Sequence, residues 1–188
     1  MTNDDLYLVI HQIVTTITGL PGAKVVKAMQ NAKASAPTGE YAAINPYLGT
    51  TQRGQANVNR SNTAPVSSPI GDVVDVQHDI KAQLVKPVSI NFYRGNAHEY
   101  AAMFIQANKR PDISAILFQN SIGWRDLEGP QDLSALQSDQ WEPRARIVIN
   151  LWMSRQQSTT TNAIYSAEIQ AQSEDGDTLQ TETTNVQG

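Results

Sequence analysis

Apolar side chains recur at three- and four-residue steps near the start of the chain, which is the spacing of one face of an α-helix. The residues concerned are Leu6, Val9, Ile10, Ile13 and Ile17. The sequence Gly-Leu-Pro-Gly at residues 19–22 should end this helix. The same period returns over residues 97–108, and Pro111 fits the first turn of a helix that continues through residues 112–120. The pattern therefore predicts two or three helices.

Other segments alternate apolar and polar residues, which is typical of a strand with one buried face. The clearest is residues 143–153, where Ala145, Ile147 and Ile149 alternate with polar side chains. The other predicted strands are residues 24–30, 41–48, 73–79, 83–94 and 163–172, with a short one after Gly123. Together these segments predict a single α+β domain, in which two or three helices pack on a mostly antiparallel sheet.

Two polar stretches interrupt this pattern. Residues 49–69 are rich in Gln, Asn, Thr and Ser, and their only charges are Arg53 and Arg60, so they predict a long polar loop inserted between strands. Residues 173–188 contain four acids and no base. We expect them to form a flexible acidic tail, either a frayed terminus or an arm that orders on a partner. The predicted domain is residues 1–172.

Composition adds limits rather than a function. The 188 residues include 14 Lys plus Arg and 18 Asp plus Glu, a net charge of −4 that argues against non-specific binding of nucleic acid. There is no cysteine, which excludes disulfides and thiolate metal sites. Apolar runs fall short of the roughly 20 residues that a membrane span needs. We therefore expect a soluble intracellular protein without membrane contact.

Residues suited to catalysis are few and scattered. The histidines His11, His78 and His98 have no metal-ligand spacing, and the chain lacks phosphate-binding and nucleophile motifs. Two groups of acids are the remaining candidates for a cation site: Asp72, Asp75 and Asp79, and Asp126, Glu128, Asp132 and Asp139. Their spacing favours surface acids in a strand and solvated acids in a turn over a Ca²⁺ or Mg²⁺ site. The sequence thus predicts no enzyme, no cofactor and no metal.

The segment that leads into the best predicted strand is a candidate interaction surface. Trp141 and Glu142 precede the strand, and Arg144 and Arg146 fall on the face opposite its apolar residues. Trp141 would either cap the core or remain available to a partner. The two arginines would either be solvated or pair with carboxylates of a neighbouring subunit.

Three sequence blocks occur in a fixed order along the chain. The first combines Met-Gln-Asn at residues 29–31 with Pro-Thr-Gly-Glu-Tyr at residues 37–41. The second is Val-Ser-Ile-Asn-Phe-Tyr-Arg-Gly at residues 88–95, followed at once by a predicted helix. The third runs from Gln-Asp-Leu-Ser at residue 131 to Trp-Glu-Pro-Arg-Ala at residue 141. In this order they resemble the neck, or tail terminator, proteins of tailed bacteriophages, over roughly residues 4–153.

The resemblance implies a structural virion protein. Such proteins form a homo-oligomeric ring, typically a hexamer, at the head-proximal end of the tail, where they terminate the tail tube and join it to the head connector. The implied partners are the tube protein and the connector or adaptor, with sheath proteins as a further candidate. DNA would pass through the lumen without sequence-specific binding, and Arg53 and Arg60 would face that lumen or a neighbour. The particle would assemble in the host cytoplasm.

Two alternatives remain. The chain would also fit another phage ring protein, either a head-completion or adaptor protein or a tail tube subunit. The other alternative is an enzyme whose site is assembled from scattered acids and histidines, which a metal-dependent thermal shift would favour. Assembly in vitro distinguishes a tail tube subunit from a tail terminator, because a tube subunit forms long polymers and a terminator stops at one ring.

Overall fold

The predicted N-terminal helix is present in the computed structural model of the protein, which describes residues 1–29, 36–63, 73–137, 140–164, 166–172 and 178–185. Helix α1 spans Asn3–Thr18. At its start, the Thr2 hydroxyl accepts from the Asp5 N–H and the Asp5 carboxylate accepts from the Thr2 N–H, which is a capping box. At its end, Gly19 is left-handed with φ 71°. The helix is therefore bounded as the sequence predicts.

Two further α-helices follow in the second half of the chain. Helix α2 covers Ala97–Met103 and continues as a 3₁₀ helix over Phe104–Lys109. Helix α3 covers Pro111–Gln119, with Pro111 in its first turn as predicted. The segment predicted as one helix over residues 97–108 thus tightens after its second turn.

The strands form one large sheet and two hairpins. In chain order they are β1 Val25–Lys27, β2 Tyr41–Asn45, β3 Thr51–Gln52, β4 Asn57–Thr63, β5 Val73–Tyr93, β6 Gly123–Asp132, β7 Ala135–Gln137, β8 Gln140–Glu142, β9 Arg144–Ile164, β10 Ser166–Gln172 and β11 Thr178–Asn185. The large sheet has the order β1-β2-β5-β9-β6, and β3 and β4 also pair with β5. Strands β1 and β2 pair in parallel, whereas β2, β3 and β4 pair antiparallel with β5, and β6 pairs antiparallel with β9. The α+β class with a mostly antiparallel sheet is therefore confirmed.

The chain has two compact units. The first comprises residues 1–54 and 83–154 and contains all three helices. The second comprises residues 55–82 and 155–188, and its described strands include β4, β10 and β11. Strands β5 and β9 contribute residues to both units. The domain boundaries predicted from the sequence stay a prediction.

The core of the first unit lies between the helices and one face of the sheet. Strand β5 contributes Ile90 and Phe92, and β9 contributes alternate residues such as Ile147 and Ile149. These side chains are almost fully buried, together with the helical apolar stripe. Each such burial contributes about 1.5–3 kcal/mol relative to exposure. The alternation that predicted β9 is therefore the alternation that builds the core.

The opposite face of the sheet is called the outer face below. It is formed by the alternate residues of the central strands that point away from the helices: Tyr41, Ala43 and Asn45 in β2, Ser89, Asn91 and Tyr93 in β5, and Arg144, Arg146, Val148, Asn150 and Trp152 in β9. Arg144 and Arg146 thus fall opposite the apolar residues, as predicted.

The polar stretches contain strands. Within residues 49–69, predicted as a loop, β3 and β4 pair with β5, and residues 64–69 lie outside the described part. The two strands predicted over residues 73–79 and 83–94 form the single strand β5. Strand β4 pairs with β5 as far as Lys81, within the predicted gap between them. In the predicted tail, β11 pairs antiparallel with β10, while residues 173–177 and 186–188 are outside the description. Backbone pairing needs no apolar side chains, so the hydropathy pattern missed these strands.

Candidate functional site: an arginine–aromatic surface

Two tyrosines form a platform on the outer face. Tyr41 begins β2 and Tyr93 ends β5, and the two residues are partners in the antiparallel register. Their rings are parallel within 3°, with centroids 4.5 Å apart. Cross-strand aromatic pairs of this kind contribute about 0.2–1 kcal/mol beyond an alanine pair. The platform therefore joins the first and second of the three sequence blocks.

Arg94 connects all three blocks. Its Nη1 donates to the Pro37 carbonyl at 3.1 Å, and its guanidinium lies over the Tyr41 ring, 5.6 Å from the centroid. Its Nε is 3.7 Å from Glu142 Oε1, and its backbone N–H donates to the Pro143 carbonyl at 2.7 Å. Residues far apart in sequence are thus held around one side chain.

The turn after β5 is fixed by a carboxylate. Glu40 Oε1 accepts from the Asn96 N–H at 3.1 Å, and Oε2 accepts from the Tyr100 hydroxyl at 2.6 Å. The bond from Tyr100, followed by that from Asn96, lowers the pKa of Glu40, and the same contact raises the pKa of Tyr100. Gly95 has φ 46°, and a Cβ there would collide with the Glu40 carboxylate. This position therefore requires glycine.

Arg144 lies beside the platform, and Arg146 is the next outer-face residue along β9. The Arg144 guanidinium is 4.7 Å from the centre of the Tyr93 ring, and its Nη2 is 3.5 Å from Asn91 Oδ1. Its Nε is buried, and within the described residues it has no hydrogen-bond partner. Arg146 Nε donates to Ser89 Oγ at 3.0 Å. Both arginines are thus partly packed rather than simply solvated, and one of them has an unused donor.

The hairpin of β7 and β8 carries exposed apolar side chains. Leu136 faces Trp141 across it, and these side chains are 67% and 65% exposed. The interpretation of Trp141 as a cap on the core is therefore wrong. Ser134, just before the hairpin, accepts through Oγ from the Arg144 N–H at 3.1 Å. This bond ties the base of the hairpin to β9.

A groove separates the tyrosine platform from this hairpin. Its volume is about 350 Å³. The residues that line it are Ala36, Tyr41, Tyr93, Arg94, Leu133, Ala135, Leu136, Glu142 and Arg144. Arginine and tyrosine are enriched among the residues that contribute most to binding in protein interfaces, and exposed leucines add apolar contact area, so the groove suits a protein partner.

A second cluster occupies another part of the outer face. The guanidinium carbons of Arg53 and Arg125 lie 4.7 Å and 5.3 Å from the Trp152 ring centre. Arg125 also forms an ion pair with Asp126 at 3.1 Å, and Asp126 accepts from Asn150 Nδ2 at 2.5 Å. The outer face therefore combines arginines with aromatic rings at both of its clusters.

Comparison with known protein families identifies the family of the chain. A family model described as phage neck terminator protein matches residues 4–177. The chain belongs to the phage neck terminator protein family. The match covers all three sequence blocks and confirms the resemblance derived from them. A search of curated proteins found no match. The family is a structural component of bacteriophages.

The predicted interaction residues of this neck terminator fall into three places. Glu142 and Arg144 line the groove, with Trp141 on the adjacent hairpin and Arg146 next to Arg144 along the outer side of β9. Arg53 lies in the tryptophan cluster of the outer face. Arg60 belongs to β4 in the second unit and is exposed there. Tyr41, Tyr93, Arg94, Arg125 and Trp152 were not among the predicted interaction residues. Alternation in β5 and β9 places Tyr93 and Trp152 on the outer face and was a signal for both.

The acids weighed as cation ligands are dispersed. Asp126, Glu128 and Asp132 lie in strand β6, so their assignment to a turn is wrong. Asp75 is buried rather than on the surface. Asp79 accepts from Ser158 Oγ at 2.5 Å and from Gln77 Nε2 at 3.0 Å, and these bonds lower its pKa. Asp72 and Asp139 lie outside the described residues.

The histidines do not meet. His98 Nε2 is 3.2 Å from Ser134 Oγ and 3.5 Å from Asp132 Oδ1. Both contacts use one ring nitrogen, whereas a catalytic triad uses Nδ1 for the acid and Nε2 for the serine. Among the described residues, no group of three His, Asp or Glu side chains is placed to hold a metal ion. None of the helices in the described part is long and apolar enough to span a membrane.

Proposed function

We propose that this neck terminator forms a ring at the head-proximal end of the phage tail, where it ends the tail tube and joins it to the head connector. The observation that carries the proposal is the meeting of the three sequence blocks around Arg94, next to an exposed apolar hairpin. A structural protein whose distinctive residues gather on an exposed surface is suited to docking other subunits.

Strand edges support self-association into a ring. Strand β4 pairs with β5 along one edge, and in the described part of the chain no strand pairs with its other edge. Its side chains are mostly exposed and include the single charge of Arg60. An open edge can accept a strand of a neighbouring subunit, and a head-to-tail contact repeated by rotation closes into a ring. We propose six copies.

The partners follow from that position. We propose that the ring contacts the tail tube protein and the head connector or adaptor, with sheath proteins as further neighbours, within a virion assembled in the host cytoplasm. DNA passes through the lumen without sequence-specific contacts, and Arg53 and Arg60 are the candidates to face it. The role is structural rather than catalytic.

Light scattering of the purified full chain across a range of concentrations, with negative-stain images of the same samples, tests ring formation. The proposal predicts closed rings of one diameter and a mass of six subunits. Long tubes would instead identify a tail tube subunit, and a monomer at every concentration would contradict self-assembly. Mixing the chain with purified tube protein then asks whether tubes stop growing when it is added.

A further inference from the structure

We propose that the groove between the stacked tyrosines and the β7–β8 hairpin binds a carboxylate side chain on an extended segment of a partner protein. The inference rests on the proposed function, because the partner is another protein of the neck. It goes further by naming the chemistry that the partner must present.

The charge of the groove favours an acid. Arg94 and Arg144 both line it, and Glu142 is the one acid among its lining residues. The Arg94–Glu142 contact is long at 3.7 Å, so Glu142 compensates Arg94 only weakly. The chain as a whole carries a net charge of −4. A locally positive groove on an acidic protein is complementary in charge to a negative ligand.

Arg144 has hydrogen-bond donors to spare. A guanidinium has five N–H groups, and for Arg144 the bond to Asn91 is at the limit of hydrogen-bond length, while in the described part of the chain Nε has no partner. A buried donor without an acceptor is unfavourable, because it has given up its hydrogen bond to water. We expect the Arg144 side chain to move toward the groove when a partner binds. A partner carboxylate could then accept two parallel hydrogen bonds, from Nε and Nη, and the unfavourable burial of the unpaired Nε would be relieved.

The other lining residues favour a peptide over nucleic acid. Tyr41 and Tyr93 stack on each other, and each also lies under an arginine, so neither ring offers a free face for a base. Leu133 and Leu136 line the same groove, and both side chains are exposed. They would contact an apolar residue next to the acid. The expected motif is therefore an Asp or Glu flanked by leucine-like side chains.

Fluorescence anisotropy with defined probes tests the inference. The probes are a labelled hexapeptide of alternating glutamate and leucine, the same peptide with glutamine in place of glutamate, and a labelled 20-base-pair DNA duplex. Each is titrated with the full wild-type chain and with Arg144→Gln, Arg144→Lys, Glu142→Gln and Arg110→Gln. Arg110 pairs with Asp112 at the start of α3 and serves as a matched loss of one positive charge elsewhere.

The expected result is saturable binding of the glutamate peptide alone. Loss of a charged, two-pronged hydrogen bond should weaken it about tenfold or more in Arg144→Gln. Arg144→Lys should also weaken binding, because lysine keeps the positive charge but cannot form two parallel hydrogen bonds with a carboxylate. Glu142→Gln should tighten it, and Arg110→Gln should leave it within about twofold of the wild-type value. Circular dichroism confirms that each variant is folded, and Arg144→Lys replaces Arg144→Gln if the latter is not.

Several results would overturn the inference. They are the absence of peptide binding by the wild type, equal binding of the glutamine peptide, equal loss in Arg110→Gln, and binding of the DNA duplex alone. Light scattering of the same samples separates this inference from the proposed function. Rings without peptide binding refute the groove's ligand only, and peptide binding without rings refutes self-assembly only.

Discussion

Arg94 and Gly95 turn the chain from β5 into α2 through two consecutive residues with positive φ, at 64° and 46°. The Pro37 and Pro143 carbonyls accept hydrogen bonds from Arg94, and the Glu40 carboxylate accepts one from the N–H of the residue after the pair, Asn96. A non-glycine residue rarely adopts this backbone conformation, so surrounding contacts must impose it on Arg94. The arginine side chain is consequently fixed at the groove before any partner arrives.

Gly95→Ala should lower the free energy of unfolding by about 1–3 kcal/mol, because the added Cβ meets the Glu40 carboxylate at a positive φ. Urea denaturation at neutral pH measures the change. Gly129→Ala is the matched control, since among the described residues, its two chain neighbours aside, no heavy atom lies within 4 Å of its Cβ position. Equal stability of the Gly95 variant and the wild type would contradict the proposed turn.

Glu40→Gln should make stability less dependent on pH on the acid side. The bonds from Tyr100 and Asn96 lower the pKa of Glu40 in the folded state, so its contribution is present above the ordinary carboxyl pKa of 4.5 and is lost as pH falls through the lowered value. The wild type should therefore exceed the variant in stability at pH 7, and the difference should vanish in acid. Urea unfolding at several pH values measures the difference in free energy of unfolding between the wild type and Glu40→Gln. Glu128→Gln, at an exposed position, is the control. A difference between wild type and Glu40→Gln that grows in acid would contradict this prediction.

Strand β9 has one side buried in the core and the other side on the outer face. Ile149→Ala on the inner side should cost about 2–5 kcal/mol, because it leaves a cavity in the core. Its neighbour Asn150→Ala loses a surface hydrogen bond to Asp126 and should cost about 1 kcal/mol or less. Urea denaturation of the two variants tests the alternation. Similar losses in both would show that the strand has no single core face.

Helices and strands with regularly spaced apolar residues could be predicted from the sequence, whereas strands made of polar residues could not. Helix α1 and strand β9 followed from side-chain spacing because tertiary burial and local preference agree there. Strands β4 and β11 escaped prediction because their residues are polar and their pairing is a backbone property. The groove was only half predicted. Arg144 stood out near Trp141, whereas the stacking of Tyr41 on Tyr93 depends on a register between strands some 50 residues apart.

At the scale of the molecule, charge is distributed unevenly. Of the eight arginines in the chain, Arg53, Arg125, Arg144 and Arg146 have side chains on the outer face, and Arg94 lies at its edge. Most of them stack on aromatic rings, which orients the guanidinium groups while their edges stay available for hydrogen bonds. Arginine, tyrosine and tryptophan are enriched at protein interfaces, so a face of this composition suits binding of another protein.

Trp141→Ser should weaken binding of the glutamate peptide at the adjacent groove without changing the melting temperature by more than a few degrees, because the side chain is largely exposed and the hairpin bonds do not use it. Phe118→Ser is the matched control: this residue is 85% exposed but belongs to α3 on the other side of the sheet. Fluorescence anisotropy and thermal unfolding measure both variants. Loss of peptide binding in Phe118→Ser alone would instead assign the docking surface to the helices.

A cryo-electron microscopy map of the neck in intact particles would test whether the outer face is an assembly surface of the phage neck. We expect a ring of this chain at the top of the tail, with the groove around Arg94 and Arg144 covered by another protein and a partner carboxylate near Arg144. A ring whose outer face lies open to solvent would contradict it.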